Sequence, residues 1–305
     1  DVYVVGAART PMGGMQGALA AASASQLGGV AIAAALAAGD VAPGDVDELL
    51  MGCVLPAGQG QAPARQAGFA AGLGEDVPAT TINKMCGSGM KTTMMGYDQL
   101  ALGHGQVMVT GGMESMTQAP YLLPKMRGGA RLGHGQVQDS MFLDGLEDAY
   151  DKGRLMGTFA EDCAMHFQFS RAAQDAYALR SLERALAAQA SGAASAEIAP
   201  VTSAGRKAKV EVAMDEQPGN ARPDKIPHLK PAFREGGTVT AANSSSISDG
   251  AAALVLANAS GLAAKGYTAR ARVMGHASHA QAPGWFTTAP VPAARKLLDR
   301  LGWTV

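Results

Sequence analysis

The run Asn83-Lys84-Met85-Cys86-Gly87-Ser88-Gly89-Met90 sets one cysteine between a short strand and a helix, with glycines on its carboxyl side. A sulfur at a helix N-terminus feels the positive end of the helix dipole, which favours the thiolate. The thiolate is the attacking form of cysteine, so this is where a nucleophile would be built. Gly87 and Gly89 have no Cβ, which lets a carbonyl approach the backbone. Backbone N–H groups at such a turn can then face a developing oxyanion. Read locally, the same residues also fit a buried cysteine ahead of a core helix, because free cysteines are often buried.

The elements around this turn alternate as in α/β proteins. Val2–Ala8 reads as a buried strand, and Ser25 as the cap of a helix to about Ala38 with Gly39 at its end. Leu49–Leu55 and Thr80–Asn83 read as strands, and Pro63 opens a helix to about Ala71. From Gly87 to Gly103, Met90, Met94, Tyr97 and Ala101 recur at helical spacing, which predicts a helix buried on most sides. Val107–Gly111 reads as another buried strand. The alternation breaks from Thr117 to about Ile247, where one clear helix runs from Ser170 to about Ala190. That stretch holds fifteen of the 25 Lys and Arg residues, offset by fifteen acids. It reads either as a solvated, loop-rich excursion or as a platform for an anionic, extended ligand. Beyond it, Ala251–Ala257 and Ala271–Ala277 read as strands and Val291–Leu301 as a helix stopped by Gly302.

The bulk properties narrow the function classes. At 305 residues with 47% hydrophobic composition the chain has room for two domains or one large one. A net charge of −1 argues against nucleic acid as a partner. No apolar run approaches the roughly 20 residues of a membrane span, and the opening on the strand-like run Val2-Tyr3-Val4-Val5 sets the expectation of no signal peptide. The three cysteines, Cys53, Cys86 and Cys163, fit neither a disulfide framework nor a zinc pattern, so a reducing, cytoplasmic setting is the simplest expectation. The glycine clusters at 14–17 and 58–60 match neither the dinucleotide fingerprint nor the phosphate-binding loop.

Together with the cysteine turn, four further strings resemble the thiolase family of acyl-CoA C-acyltransferases: Ala7-Ala8-Arg9-Thr10-Pro11, Gly111-Gly112-Met113-Glu114-Ser115-Met116, Met156-Gly157-Thr158-Phe159-Ala160-Glu161, and Gly237 to Ser245 with Ser248-Asp249-Gly250-Ala251-Ala252. His279-Ala280-Gln281-Ala282-Pro283 continues the match. The resemblance implies two similar α/β halves in five layers, helix–sheet–helix–sheet–helix, with an inserted loop domain. On that pattern residues 1–116 and 248–267 form the half that carries the nucleophile. Residues 117–247 form the loop domain that binds coenzyme A, and 268–305 begin the C-terminal half, left incomplete in this sequence. Some of the basic residues of the loop domain then lean towards ligand binding.

The same resemblance implies a reversible Claisen condensation, or thiolysis of a 3-ketoacyl-CoA, through an acyl-enzyme on Cys86. It implies no permanent cofactor, coenzyme A thioesters as substrates, a homotetramer built as a dimer of dimers, and a place in fatty acid metabolism. Leu146, Met156, Ala241, Ser244 and Ser245 match positions that line the coenzyme, Ser245 offering its hydroxyl to a pantetheine amide. Arg222 is the nearest match to an arginine at the adenine end, offset by a few residues. Leu155 stands where some members carry a histidine. The partners that the chemistry needs, a histidine, an asparagine and a second cysteine, are expected beyond Val305. Cys53 reads as core, Cys163 as packing on a helix, and His276 and His279 as strand-borne core or interface histidines. The chain starts without methionine and stops at the approach to a further strand, so a longer polypeptide is expected. Two other readings share the fold or the ligand: a decarboxylating condensing enzyme of the ketoacyl-synthase type, and a catalytically incomplete acyl-CoA-binding fragment.

Overall fold

The computed structural model describes residues 1–205 and 208–305. They divide into two compact units: residues 1–146, 191–217 and 247–273 form the first, and residues 147–190, 218–246 and 274–305 the second.

The first unit is built on a mixed sheet. Its strands are β1 (Val2–Arg9), β2 (Gly13–Gly14), β3 (Glu48–Gly52), β4 (Ala79–Ile82) and β5 (Val107–Ser115). Two small hairpins follow, β6 (Tyr121–Leu122) with β7 (Gln138–Asp139) and β8 (Val201–Ala204) with β9 (Lys209–Val212). The last strands are β10 (Ser248–Asn258) and β11 (Ala271–Arg272). Among the described residues the main sheet runs β11-β1-β10-β5-β3-β4, with β2 at the end of β10. β3 is parallel to β4 and β5. β10, from late in the chain, lies antiparallel between β1 and β5, Ala253 facing both Ala8 and Gly111.

Helices cover both faces of this sheet. α1 (Ala24–Ala38) and α2 (Pro63–Ala70) pack on one face, α3 (Ser88–Ala101) on the other, and α7 (Ala259–Lys265) follows β10. Strand alternation sorts the side chains. Val107, Val109, Met113, Leu49 and Met51 join Ile32, Ala35 and Leu36 of α1 in the larger core. Met108 and Leu256 meet Leu100 of α3 in the smaller one. Small residues let the helices come close: a Cβ on Gly28 would stand 3.0 Å from the Ala67 Cβ, and one on Gly29 2.6 Å from the Ala70 Cβ.

Several local expectations change. Ser23, not Ser25, caps α1: its hydroxyl accepts from the Gln26 N–H at 3.2 Å while the Gln26 side chain accepts from the Ser23 N–H at 2.8 Å. Ser25 lies inside the helix, buried, donating to the Pro63 carbonyl at 3.2 Å. The buried stripe of α3 is Ser88, Thr92, Gly96 and Leu100, and Met90 is 68% exposed. The methionine spacing marks the wrong face because the sheet admits only small side chains there: a Cβ on Gly96 would lie 2.6 Å from the Thr110 Cγ2. β11 ends at Arg272 rather than near Ala277. Its pairing with β1 covers Tyr3 with Arg272 and Val4 with Ala271, and the bond from the Val273 N–H to the Val2 carbonyl follows.

The second unit carries α4 (Met156–His166), α5 (Arg171–Ala190) and α8 (Pro290–Leu301), while α6 (Glu216–Asn220) lies where the chain passes between units. α4 is the helix on which Cys163 was expected, beside the one clear helix read between Thr117 and Ile247. Its buried positions are Phe159, Glu161 and Ala164, and a buried charge among them hides the apolar period. The Ser170 hydroxyl caps α5 by accepting from the Ala173 N–H at 3.2 Å. Gly302, at φ +65°, closes α8.

Candidate active site

Cys86 lies in the turn between β4 and α3, past the carboxyl ends of the parallel strands β3, β4 and β5, and its thiol is exposed. The turn is sharp. Met85 has φ +49°, a left-handed conformation that costs a non-glycine residue roughly 1–2 kcal/mol. Side chains hold it there. The Asn83 carboxamide oxygen accepts from the Met85 N–H at 3.0 Å, and its nitrogen donates to the Val54 carbonyl at 3.3 Å. The Ser88 hydroxyl accepts from the Lys84 N–H at 2.8 Å and donates to the Met85 carbonyl at 2.6 Å. Glycines bring α3 down onto the strand ends: a Cβ on Gly52 would lie 2.7 Å from Gly89 N and Ser88 C. The sulfur therefore stands one residue before the Gly87 N-cap of a 14-residue helix, on a turn whose backbone is fixed from three sides.

The other two cysteines are set apart from this chemistry. Cys53 is 1% exposed; burial and then the charge of Glu114 push its thiol up to about 12, so it stays protonated. Burial also raises the Glu114 carboxyl, which accepts from the Val54 N–H at 2.8 Å and the Leu55 N–H at 3.1 Å. Cys163 is half-buried on α4.

Leu146 ends a short helical turn, Phe142–Leu146, of the first unit and is half-buried. The remaining residues matched to coenzyme positions lie in the second unit. Met156 opens α4; Ala241, Ser244 and Ser245 share the loop at 238–246; Arg222 is exposed ahead of the turn Pro223–His228. That loop is tied down firmly. Glu161 of α4, 4% exposed, accepts from the Thr238 N–H at 2.9 Å and the Val239 N–H at 2.8 Å. The Asn243 side chain donates to Asp175 of α5 at 3.0 Å and accepts from the Thr240 N–H at 2.7 Å. The Ser244 hydroxyl is spent on the Thr240 carbonyl at 2.6 Å, whereas Ala241 and Ser245 are exposed. Three basic residues of the segment are held in ion pairs: Arg154 and Arg234 with Asp162, and Arg171 with Asp175. His276 and His279 lie in irregular chain rather than on a strand, and His279 bonds Gln281 at 3.1 Å.

Sequence reasoning passed over Asn83 and Ser88 as supports of the turn, and Glu114 as the acceptor for the Val54 and Leu55 N–H groups. A charge inside an otherwise apolar strand was the available signal for Glu114. An asparagine two residues before the left-handed position was the signal for Asn83.

Comparison with known proteins settles the family. The thiolase N-terminal domain description matches residues 2–260. The chain belongs to the thiolase family. Acetyl-CoA acetyltransferase 2 of Arabidopsis thaliana is 47% identical over 306 residues, covering 99% of this chain and 75% of that protein. The acetyl-CoA acetyltransferase of Schizosaccharomyces pombe is 45% identical over 304 residues, covering 99% and 77%. The crystal structure of the Bacillus anthracis acetyl-CoA acetyltransferase superposes with a TM-score of 0.96 at 36% identity, covering all of this chain and 77% of that one. In this thiolase, Cys86 and every residue matched to coenzyme positions fall inside the matched span. The fold is that of the thiolases, and the first unit presents its helix–sheet–helix layers. Among the described residues, no helix is long and apolar enough to cross a membrane.

Proposed function

We propose that this thiolase transfers an acyl group, acetyl in the first instance, from a coenzyme A thioester to Cys86 and on to the α-carbon of a second acyl-CoA. The observation that carries the reading is the exposed Cys86 thiol on a clamped turn at the start of α3. The relatives named acetyl-CoA acetyltransferase support the choice of acyl group.

The Cys86 thiolate attacks the thioester carbonyl carbon, and negative charge gathers on the oxygen. The carbonyl reforms as the bond to the coenzyme sulfur breaks, and the released thiolate takes up a proton. A second acyl-CoA loses an α-proton to a base, and the carbanion attacks the acyl-enzyme carbonyl. The bond to Cys86 breaks and its thiolate returns, ready for another round. In reverse, the Cys86 thiolate attacks the 3-keto carbon of a 3-ketoacyl-CoA, the bond to the α-carbon breaks and the leaving acyl-CoA carbanion takes up a proton, and a coenzyme thiolate then takes the acyl group from Cys86. The turn serves both directions, because a sulfur already fixed at a helix N-terminus needs no reorganisation when charge develops beside it.

In the second unit Met156 and Ala241 supply apolar walls to the coenzyme, Ser245 a hydroxyl and Arg222 a cation; Leu146 of the first unit is read, by its match alone, as apolar lining. The Ser244 hydroxyl instead braces the loop, so Ser244 contributes through loop shape. No resident cofactor takes part. The free thiols suit a reducing cytoplasm, and a dimer of dimers is the assembly to check by light scattering. Iodoacetamide labelling with and without acetyl-CoA tests the function: selective labelling of Cys86 that acetyl-CoA blocks is expected, and equal labelling of all three cysteines counts against it.

A further inference from the structure

Glu114 ends the inner run of β5 with its carboxylate turned to the loop after β3. Each oxygen has its own backbone donor, Oε2 the Val54 N–H at 2.8 Å and Oε1 the Leu55 N–H at 3.1 Å; the Cys53 thiol lies 3.5 Å from Oε1. A carboxylate is the side chain that accepts on both oxygens at once. The peptide it grips then faces the nucleophile: the carbonyl of the same Val54 receives the Asn83 amide at 3.3 Å. The other end of that amide receives the Met85 N–H at 3.0 Å, at the left-handed residue just before Cys86. A continuous path of hydrogen bonds thus runs from a half-buried carboxylate to the reactive turn, all within the first unit.

We propose that Glu114 is a positioning residue for Cys86, fixing the left-handed turn through Val54 and Asn83. Its effect reaches the reaction through the placement of the sulfur, and it touches no substrate atom. The left-handed Met85 is a conformation that relaxes when its supports loosen, and the sulfur swings with it. Displacement of a reacting group by an ångström costs on the order of 100-fold in rate.

The proposal rests on Cys86 being the reacting sulfur, and the test separates the two. The rate of Cys86 alkylation by iodoacetamide is measured in the full chain, with Cys163 on the second unit as the internal reference. Glu114→Gln must set an NH2 group against either the Val54 or the Leu55 N–H, so Cys86 alkylation is expected to change at least about 10-fold while Cys163 does not. Asn83→Ala should shift Cys86 in the same sense, and the double variant should be no further shifted than the larger single one, because both cut one path. Unchanged alkylation in Glu114→Gln, an equal change at Cys163, or multiplicative effects in the double variant would overturn the proposal. Should Glu114→Gln fail to fold, Asn83→Ala alone decides: an unaltered Cys86 rate overturns it. A wild-type Cys86 that resists alkylation altogether removes the nucleophile reading itself.

Discussion

A single added methyl at Gly52 should disturb the nucleophile without touching it. Gly52 closes β3 beneath the start of α3, and a Cβ there would sit 2.7 Å from Gly89 N, Ser88 C and Ser88 Cβ. Two of those atoms are backbone, so no rotamer change relieves the clash. Ordinary contact requires the helix start to retreat by roughly 0.7–1 Å. Further along, α3 is seated through Gly96 against Thr110, so the retreat bends or tilts the helix instead of translating it freely. Overpacking of this kind costs about 1–3 kcal/mol, which lowers the melting temperature of a domain this size by about 2–12 °C. The displaced Ser88 is the residue that clamps Lys84 and Met85, so Cys86 moves with it. Gly52→Ala is therefore expected to melt earlier and to alter Cys86 alkylation by about 10-fold or more. Gly44→Ala is the control: nothing lies within 4 Å of its Cβ and its φ is not positive, so its melting should be unchanged or slightly raised. Both quantities follow from thermal melts and timed iodoacetamide labelling. A Gly52→Ala variant that melts and labels like the wild type would refute the close seating of α3 on β3.

Two further perturbations test the supports. Glu161→Gln removes a buried carboxylate that three donors share, the Thr238 and Val239 N–H groups and the Thr238 hydroxyl. A loss of about 1.5–3 kcal/mol in stability and weaker binding of coenzyme A by calorimetry are expected, and unaltered affinity would detach the 238–246 loop from ligand binding. Asp215 links the opening strand to the chain after β9: burial pushes its carboxyl up, but the bonds from Arg9 and from the Met12 N–H outweigh this and hold it below its ordinary value. A carboxyl lowered by folding stabilises above its unfolded value and loses that contribution as pH falls through the folded one. Asp215→Asn should therefore flatten the decline in stability between about pH 5 and pH 2, measured by denaturant titration at each pH; a decline as steep as the wild type's would contradict the assignment.

The alternating part of the fold was legible because strand and helix periods there coincide with burial. Val107 and Val109 are apolar, buried and central, and the strand they mark is present and runs on to Ser115. Where burial is achieved with small or charged residues the pattern misleads. The inner face of α3 is Ser88, Thr92, Gly96 and Leu100, chosen for closeness to the sheet, while methionines occupy its outer side. The extent of α4, marked in the sequence only by the helix read around Cys163, was hidden for the same reason, since Glu161 occupies a core position and is satisfied by backbone donors that no local pattern announces. Cys86 stands out in the sequence because the chemistry proposed for it is local: a thiol, a helix start and glycines within a few residues. Its supports come from Ser88, Asn83 and, across 28 residues from Cys86, Glu114, and that last contact exists only once β5 lies beside β3.

The central claim is that the sulfur of Cys86 carries the acyl group. Incubating the full chain with acetyl-CoA, quenching in acid and mapping the modified peptide tests it most directly. One acetyl group on the peptide that contains Cys86, absent from Cys86→Ala, is the expected result. Acetylation at Cys53 or Cys163, or an unmodified Cys86 peptide after incubation, would contradict it.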